Sequence, residues 1–251
     1  MEIQEHGAYI SKVRFSEDGR EIHRSGCPTC FGLQKQREAE EAERKRIQDD
    51  ERRREKAIKD QLSMMAIPPR YQSRTLETFT VEDGTAKAAR FNIVRSYVEK
   101  FDTLRARGIG MTLIGPTGTG KTHLACGVLL ALRERCPGLY ITHAELIGKI
   151  HDTYSKNSMV SSESVFAAFA DAPLLLIDEI GRQAMSDAVK DEFFRVVDAR
   201  YRLMRPTIYV SNAQTPEDFE ALLTPEMASR ISETCKYIRC DWESFRRGPE
   251  F

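Results

Sequence analysis

Residues 111–122 read Met-Thr-Leu-Ile-Gly-Pro-Thr-Gly-Thr-Gly-Lys-Thr, an apolar run followed by a glycine-rich turn. The turn matches the pattern G-x-x-x-x-G-K-[ST] at every fixed position. Glycines let the backbone wrap closely round a phosphate chain and adopt angles that a Cβ would forbid. Successive N–H groups and the N-terminus of the following helix then face the anion. The stretch therefore predicts a strand, a phosphate-binding loop and a helix, in that order.

The loop motif predicts a nucleotide site occupied by ATP and magnesium. We expect Lys121 to reach the β- and γ-phosphates, and the Thr122 hydroxyl to coordinate Mg²⁺. The residues expected to bind the nucleotide are Gly115, Pro116, Thr117, Gly118, Thr119, Gly120, Lys121 and Thr122. The alternative, a purely structural turn, is disfavoured because the motif lies between an apolar strand and an amphipathic helix.

A second apolar run, Leu174–Ile177, ends in two carboxylates, Asp178 and Glu179. Open parallel sheets bind their ligands at the carboxyl ends of the strands, so the pair is expected beside the phosphates. In that position Asp178 holds Mg²⁺ and Glu179 polarises the attacking water. Taken alone, an Asp-Glu pair after a strand is ordinary helix-start chemistry. The phosphate loop upstream favours the catalytic interpretation.

Two polar residues further along the chain are candidates for the same reaction. Asn212 directly follows the apolar run Thr207–Ser211. If that strand lies beside the phosphate-loop strand, Asn212 contacts the γ-phosphate or orients the lytic water; the alternative is that it only begins a turn. Arg230 follows an apolar, helix-like segment, and an arginine supplied to a neighbouring subunit's nucleotide stabilises phosphoryl transfer. The alternative for Arg230 is a surface or structural role.

The order of helical and strand patterns predicts an α/β fold with a parallel sheet. The predicted strands are Gly110–Ile114, Leu139–Thr142, Leu174–Ile177, Thr207–Ser211 and Tyr237–Arg239. The predicted helices are Ala86–Lys100, Thr122–Glu134, Ala144–Tyr154 and Ala188–Met204. Composition divides the chain into a small N-terminal module (residues 1–33), a charged helical linker (34–66) and an ATPase domain (67–251). In the linker, opposite charges recur three and four residues apart, which favours a solvated helix; disorder is the alternative.

The 251 residues carry 38 basic and 38 acidic side chains, so the formal net charge is zero. This balance excludes a globally basic, histone-like mode of nucleic-acid binding but not a local basic patch. The longest apolar runs, such as Pro173–Ile177, are too short to span a bilayer. Met1–Ile10 lacks the cationic apolar pattern of an export signal. These features predict a cytoplasmic protein.

The motifs together resemble those of the AAA+ ATPases and, more narrowly, of the DnaC/DnaI-type loaders of the bacterial replicative helicase and their phage-encoded relatives. The resemblance extends from about Pro68 to Arg247, and its most family-specific part is Asp-Trp-Glu-Ser-Phe-Arg at residues 241–246. The other shared segments are Gly-Pro-Thr-Gly-Thr-Gly-Lys-Thr-His-Leu-Ala from Gly115, Leu-Leu-Leu-Ile-Asp-Glu-Ile-Gly from Leu174 and Val-Ser-Asn from Val210.

The resemblance implies an AAA+ P-loop NTPase fold and an ATPase that places the replicative helicase on single-stranded DNA. It also implies that Arg230 is an arginine finger acting in trans and that Asn212 is the sensor residue. Such a finger requires the ATP-bound subunits to associate in a spiral or ring. The family carries a helical insertion, here at about Ile150–Phe166. Three of its residues are implied to face single-stranded DNA: Tyr154, Lys156 and Asn157.

One cysteine pair, Cys27-Pro-Thr-Cys30, has the spacing of a metal or redox site. Some loaders carry a small zinc module in this part of the chain, and the resemblance implies the zinc ligands His6, Cys27 and Cys30. However, Ile3 stands where that module would have a further cysteine, and a structural zinc site takes four ligands. The alternative is two reduced thiols in a turn.

Two other functions stay open. An IstB-like transposition helper has the same nucleotide site but binds duplex DNA and a transposase. The charged N-terminal segment, the cysteine pair and the Trp242–Arg246 ending argue against it. A nucleotide-gated adaptor binds ATP and hydrolyses it negligibly. Phosphate release with and without single-stranded DNA distinguishes such an adaptor from a loader.

Overall fold

A computed structural model describes residues 12–24, 35–38, 40–49, 64–155 and 160–245. The chain divides into two compact units, Met1–Lys59 and Asp60–Phe251. In the first unit, residues 35–38 and 40–49 are helical and lie within the segment whose mixed charges favour a helix. Among the residues described, no helix is both long enough and apolar enough to cross a lipid bilayer.

The first unit also contains a short antiparallel hairpin of β1 (Val13–Phe15) and β2 (Glu21–Arg24). The Ser16 N–H donates to the Arg20 carbonyl (2.8 Å), and the Gly19 N–H donates to the Ser16 carbonyl (3.0 Å). Gly19 has a φ of 80°, which glycine adopts without steric cost. The hairpin and its turn therefore follow from local sequence.

A five-stranded parallel sheet forms the centre of the second unit. Its strands are β3 (Gly110–Ile114), β4 (Gly138–Thr142), β5 (Leu174–Ile180), β6 (Thr207–Ser211) and β7 (Cys235–Arg239). Their spatial order is β4-β5-β6-β3-β7, and every neighbouring pair is parallel. The predicted parallel α/β sheet is confirmed. Because β6 lies between β3 and β5, the ends of the three strands that carry the site meet at one edge.

Helices connect the strands. Their bounds are α1 (Ala86–Glu99), α2 (Phe101–Arg105), α3 (Lys121–Leu132), α4 (His143–Asp152), α5 (Ser162–Asp171), α6 (Asp187–Arg202), α7 (Pro216–Glu220) and α8 (Pro225–Thr234). Side-chain oxygens cap six helices: those of Thr85, Thr142, Ser161, Ser186, Thr215 and Thr224. Such caps satisfy N–H donors that a helix leaves unpaired. By contrast, the N-cap residue of α3 is Gly120, which has no side chain to form a cap.

Two apolar clusters surround the sheet and fix the strand ends. In the first cluster, Val94 of α1 and Leu124 of α3 pack with Leu113 of β3, and all three are fully buried. In the second, Phe193 of α6 packs with Ile177 of β5. Burying one such side chain contributes about 1.5–3 kcal/mol. Packing on both faces of the sheet therefore fixes the positions of the strands that carry the site.

Arg200 of α6 is a buried cation that joins two elements of the fold, with a relative exposure of 1%. Its guanidinium donates hydrogen bonds of 2.6–3.2 Å to the carbonyls of Phe169, Ala170, Ala172 and Pro206 and to the Thr207 hydroxyl. Burial lowers the pKa of Arg200 to about 10, so the side chain is still charged at neutral pH. Arg200 thereby ties the end of α5 to the start of β6, the strand that leads to Asn212.

We expect Arg200→Leu to lower the free energy of unfolding by about 3–5 kcal/mol, because buried acceptors would lose their donor. Arg202→Leu is the matched control, since the Arg202 side chain is 70% exposed on the same helix. That change should cost about 0.5 kcal/mol or less. Urea denaturation followed by circular dichroism gives both values. Equal losses in the two variants would contradict the role assigned to Arg200.

Candidate nucleotide-binding site

A cavity of about 830 Å³ lies where β3, β5 and β6 end. Eight of the predicted site residues line it: Thr117, Gly118, Gly120, Lys121, Thr122, Asp178, Glu179 and Asn212. The other three loop residues, Gly115, Pro116 and Thr119, do not line it. Among them, the Thr119 hydroxyl donates to the Pro116 carbonyl at 2.9 Å. The structure thus brings the loop, the acidic pair and Asn212 together round one space.

The phosphate loop has the backbone shape that its glycines predict. Gly118 and Gly120 have φ angles of 89° and 85°, in the left-handed region that favours glycine. A Cβ added to Gly120 would lie 2.7 Å from the Phe79 ring. The Lys121 ammonium donates to the carbonyls of Gly115 and Pro116, both at 2.7 Å. A buried cation is thereby held within the loop, where phosphate oxygens can replace these carbonyls.

Asp178 is 3% exposed and lines the cavity at the end of β5. Its Oδ1 accepts from the Glu179 N–H (2.7 Å), and its Oδ2 accepts from the Tyr140 hydroxyl (3.2 Å). Thr122 makes a further side-chain hydrogen bond to Asp178. Burial raises the pKa of Asp178, whereas these hydrogen bonds act in the opposite direction by stabilising the carboxylate. The phosphate loop and the acidic strand therefore meet at Thr122 and Asp178.

The side chains of Thr122 and Asp178 fit a magnesium site. Both offer oxygen atoms, the ligands that Mg²⁺ prefers, and protein-bound Mg²⁺ commonly takes one or two such ligands together with phosphate oxygens and water. Their hydrogen-bonded contact puts both oxygens beside the loop predicted to hold the phosphates. A metal shared between protein and nucleotide requires this proximity.

Glu179 occupies a backbone conformation that is rare for a residue with a side chain, with a φ of 57°. The pairing of β5 with β6 shifts between Ile177 and Ile180, so the strand carries one extra residue there. Strained residues of this kind cost about 1–3 kcal/mol and cluster at functional sites. The Glu179 carboxylate lines the cavity and accepts a hydrogen bond from Arg182 at 2.8 Å. The bulge accounts for the different positions of neighbouring residues, Asp178 buried and Glu179 exposed.

Asn212 follows β6, beside the phosphate-loop strand, as its candidate role requires. The backbone is anchored by the preceding residue, since the Ser211 hydroxyl donates to the Ile180 carbonyl (2.7 Å) and accepts from the Ala213 N–H (3.2 Å). The Asn212 residue is exposed and lines the cavity. A fixed backbone with an exposed amide is suited to contact a terminal phosphate or a water.

Arg230 lies on α8 and is not among the residues that line the cavity. Its guanidinium pairs with Asp198 of α6 and lies 4.7 Å from the centre of the Phe194 ring and 5.5 Å from that of Tyr201. The side chain is 29% exposed. Arg230 therefore lies outside the nucleotide cavity of its own subunit. Its role toward the nucleotide of a neighbouring subunit stays a prediction.

Several predicted residues lie outside the described part of the chain. They are the zinc ligands His6, Cys27 and Cys30 and two of the residues implied to face DNA, Lys156 and Asn157. Their roles stay predictions. Within the described ranges, no group of three or more His, Cys, Asp or Glu side chains is placed to hold a metal ion. Tyr154 is 58% exposed, and its hydroxyl donates to Glu192 at 2.9 Å.

Tyr140 is a site residue that local sequence does not identify, because it lies within an apolar strand pattern. Tyr140 pairs in register with Leu176, which shares a strand face with Asp178. The hydroxyl can therefore reach the carboxylate across the sheet. The only signal for this role is the phenolic hydroxyl within a mainly apolar strand. That signal becomes informative only when the adjacent strand is known.

His123, directly after the loop motif, is a second residue without an assigned role in the sequence. It lines the cavity, and its Nε2 lies 2.8 Å from the Thr75 carbonyl and 3.0 Å from the Thr78 hydroxyl. Burial lowers the pKa of His123, so the neutral ring predominates at neutral pH. His123 joins the start of α3 to the segment that precedes α1.

Comparison with known proteins gives consistent results. A family model described as IstB-like ATP binding protein matches residues 42–249. The replicative helicase loader DnaC of Escherichia coli (strain K12) is 32% identical over 188 residues, 72% of this chain and 72% of that protein. A crystal structure of the DnaC helicase loader has a TM-score of 0.61 at 23% identity, covering 68% of this chain and 99% of that chain. The structure of the replication initiator DnaA bound to AMPPCP and single-stranded DNA has a TM-score of 0.57 at 21% identity. The match covers 70% of this chain and 51% of that chain.

Proposed function

Because the chain belongs to the family of IstB-like and DnaC-type ATP-binding proteins, with their AAA+ P-loop NTPase fold, we propose that it is an ATP-dependent loader of the replicative DNA helicase. In this proposal it places the helicase on single-stranded DNA during replication. The observation that carries the proposal is the similarity to the Escherichia coli helicase loader over most of both chains. The cavity geometry supports the part that concerns ATP.

The proposed reaction is hydrolysis of the γ-phosphate. Lys121 exchanges its two carbonyl acceptors for β- and γ-phosphate oxygens, and the loop N–H groups hold the chain of phosphates. Thr122 and Asp178 would hold magnesium, which would supply positive charge to neutralise the phosphates. Glu179 accepts a proton from the attacking water, and Asn212 orients that water or the terminal phosphate. The arrangement of Glu179 and Asn212 round one cavity supports these roles.

The proposed site is completed by a neighbouring subunit. Arg230 of that subunit leaves Asp198 and contacts the phosphate on which charge develops during transfer. Its position outside its own cavity, on a partly exposed helix, supports this arrangement. ATP would then hold subunits in a spiral or ring, and hydrolysis at Glu179 would loosen the assembly.

We expect Arg230→Ala to lower ATP turnover by about 10²- to 10³-fold while ATP binding is retained, since a trans arginine acts mainly on the transition state. Mixing this variant with Lys121→Ala should restore part of the turnover, because each supplies what the other lacks. Phosphate release from each variant and from the mixture provides the measurement. The control is Arg202→Ala, which removes another arginine partner of Asp198. Absence of rescue, or equal loss in the control, would assign Arg230 a structural role.

We propose in addition that residues 1–33 and the charged linker, residues 34–66, hold the helicase, while the ATPase domain, residues 67–251, grips single-stranded DNA. A neutral chain is compatible with this division, because only the surface that tracks the strand must be basic.

Binding of a helicase rather than a transposase tests the proposal directly. The full chain is incubated with the replicative helicase of its own cell and, separately, with a transposase of the insertion-sequence type, each with ATP and magnesium. We expect a stable complex with the helicase, detected by size-exclusion chromatography with light scattering. A complex with the transposase alone would favour the IstB-like helper instead, an alternative supported by the description of the matching family.

A further inference from the structure

The segment Cys240–Phe245 lies along the phosphate loop and donates three hydrogen bonds to carbonyls of the loop and its strand. The Cys240 N–H donates to Ile114 (2.7 Å), and the Phe245 N–H donates to Gly118 (2.9 Å). The Trp242 indole N–H donates to the Thr119 carbonyl at 2.8 Å. We call this segment the C-terminal clasp. The most family-specific part of the sequence is thus attached to the loop on its carbonyl side.

Hydrogen bonds to these carbonyls also affect the N–H groups on the opposite side of the same peptide groups. A trans peptide is planar, so its C=O and N–H point in opposite directions. Holding the carbonyls of Gly118 and Thr119 therefore orients the N–H groups of Thr119 and Gly120, which belong to the same two peptides. Those N–H groups are among the donors that a phosphate loop offers to an anion. The clasp fixes donors that it does not itself contact.

Aromatic packing holds the clasp in place. The Phe245 ring lies 5.4 Å from Phe79, measured between ring centres, and the Lys87 ammonium lies 4.0 Å from the centre of the Phe245 ring. Both aromatic rings cover Gly120, where an added Cβ would lie 2.7 Å from Phe79 and 3.3 Å from Phe245. An ion pair of 3.0 Å joins Asp241 to Arg90 of α1. The clasp is therefore anchored independently of the hydrogen bonds to the loop.

We propose that the C-terminal clasp preorganises the phosphate loop for ATP and that Trp242 is its main positioning residue. Trp242 is the only tryptophan of the chain, so its emission reports the state of the loop. Because coupling free energies are reciprocal, a bound phosphate chain that stabilises the loop conformation also stabilises the contacts between clasp and loop. The inference rests on nucleotide binding at the loop and is independent of helicase loading.

Trp242→Phe tests the proposal because it keeps an aromatic ring in the clasp and removes the N–H donor, together with part of the apolar surface that the indole packs against the core. We expect the dissociation constant for a slowly hydrolysed ATP analogue with magnesium, measured by calorimetry, to rise about three- to tenfold. The turnover number at saturating ATP should change less than twofold, while KM rises with the dissociation constant. The matched control is Tyr97→Phe, which removes one hydroxyl donor to the Ile109 carbonyl, 3.0 Å away at the opposite end of β3. This control should bind the analogue as the wild type does.

The thermal shift produced by the analogue separates positioning from general stability. For Trp242→Phe we expect a smaller increase in Tm on adding the analogue than for Tyr97→Phe. Equal analogue affinity in both variants and the wild type would overturn the proposal, even if both variants were less stable. An analogue affinity lowered equally in the two variants would also overturn it.

Wild-type fluorescence provides an independent measurement. We expect Trp242 emission to change on titration with the analogue, with the same midpoint as the calorimetric titration. Emission that stays constant while calorimetry records binding would overturn the coupling of clasp and loop. If the wild-type chain gives no calorimetric binding, the loop assignment itself fails, and the clasp proposal fails with it.

Discussion

Lys121→Ala is expected to lower the affinity for ATP by at least about a hundredfold, because charge-assisted hydrogen bonds contribute roughly 1.5–3 kcal/mol each and about 1.4 kcal/mol corresponds to a factor of ten. The lysine ammonium is buried and donates to two loop carbonyls, so it already lies within the loop that is predicted to hold the phosphates. Lysine puts a compact charge with three donors at the end of a flexible stem, a geometry that the planar guanidinium of arginine does not reproduce.

Calorimetry with a slowly hydrolysed analogue and magnesium measures this loss. The control is Lys236→Ala, which removes an exposed lysine of β7 that does not line the cavity. Circular dichroism establishes that both variants are folded. Wild-type affinity in folded Lys121→Ala would show that the triphosphate does not bind in the loop.

The second large effect concerns Glu179→Gln, which should retain ATP and hydrolyse it about 10²- to 10⁴-fold more slowly. Glutamine has nearly the same shape as glutamate and keeps an oxygen that can accept from Arg182, the present partner of Glu179. It lacks the basic carboxylate that takes a proton from water. Because the buried Asp178 is unchanged, magnesium and nucleotide should stay bound, and ATP-dependent self-association should be stronger than in the wild type.

Phosphate release and analogue affinity, measured on the same preparation, separate catalysis from binding. Glu99→Gln changes an exposed carboxylate at the end of α1 and provides the control. Wild-type turnover in Glu179→Gln would remove the catalytic role of this residue. Equal loss of turnover and of analogue affinity would instead assign Glu179 to nucleotide binding.

Local sequence predicts most of the nucleotide site, because its parts lie at strand ends. The loop after β3 and the acidic pair of β5 are continuous motifs, and parallel strands put their carboxyl ends at one edge. Each predicted strand and helix has a counterpart in the structure, with boundaries that differ by a few residues. For example, β5 continues to Ile180, past the predicted end at Ile177. The sequence patterns do not predict short helices such as α2 and α7.

The contacts that local sequence does not predict depend on strand order and register. Asn212 reaches the cavity only because β6 lies between β3 and β5, and the sequence left that order open. Tyr140 contacts Asp178 through the register of β4 with β5. The bulge that turns Glu179 into the cavity has no signal in an apolar run. Trp242 bonds to a loop carbonyl 123 residues earlier in the chain, a separation beyond any local pattern.

Transfer of the helicase to closed circular single-stranded DNA is the measurement that tests the loader proposal most directly. A circle has no end onto which a helicase ring can thread, so its occupancy reports active loading. With ATP and magnesium, we predict helicase on the circles when the wild-type chain is present and little when it is omitted or replaced by Lys121→Ala. Equal occupancy in all three reactions, or helicase held by the wild-type chain but never transferred to the circle, would contradict the account.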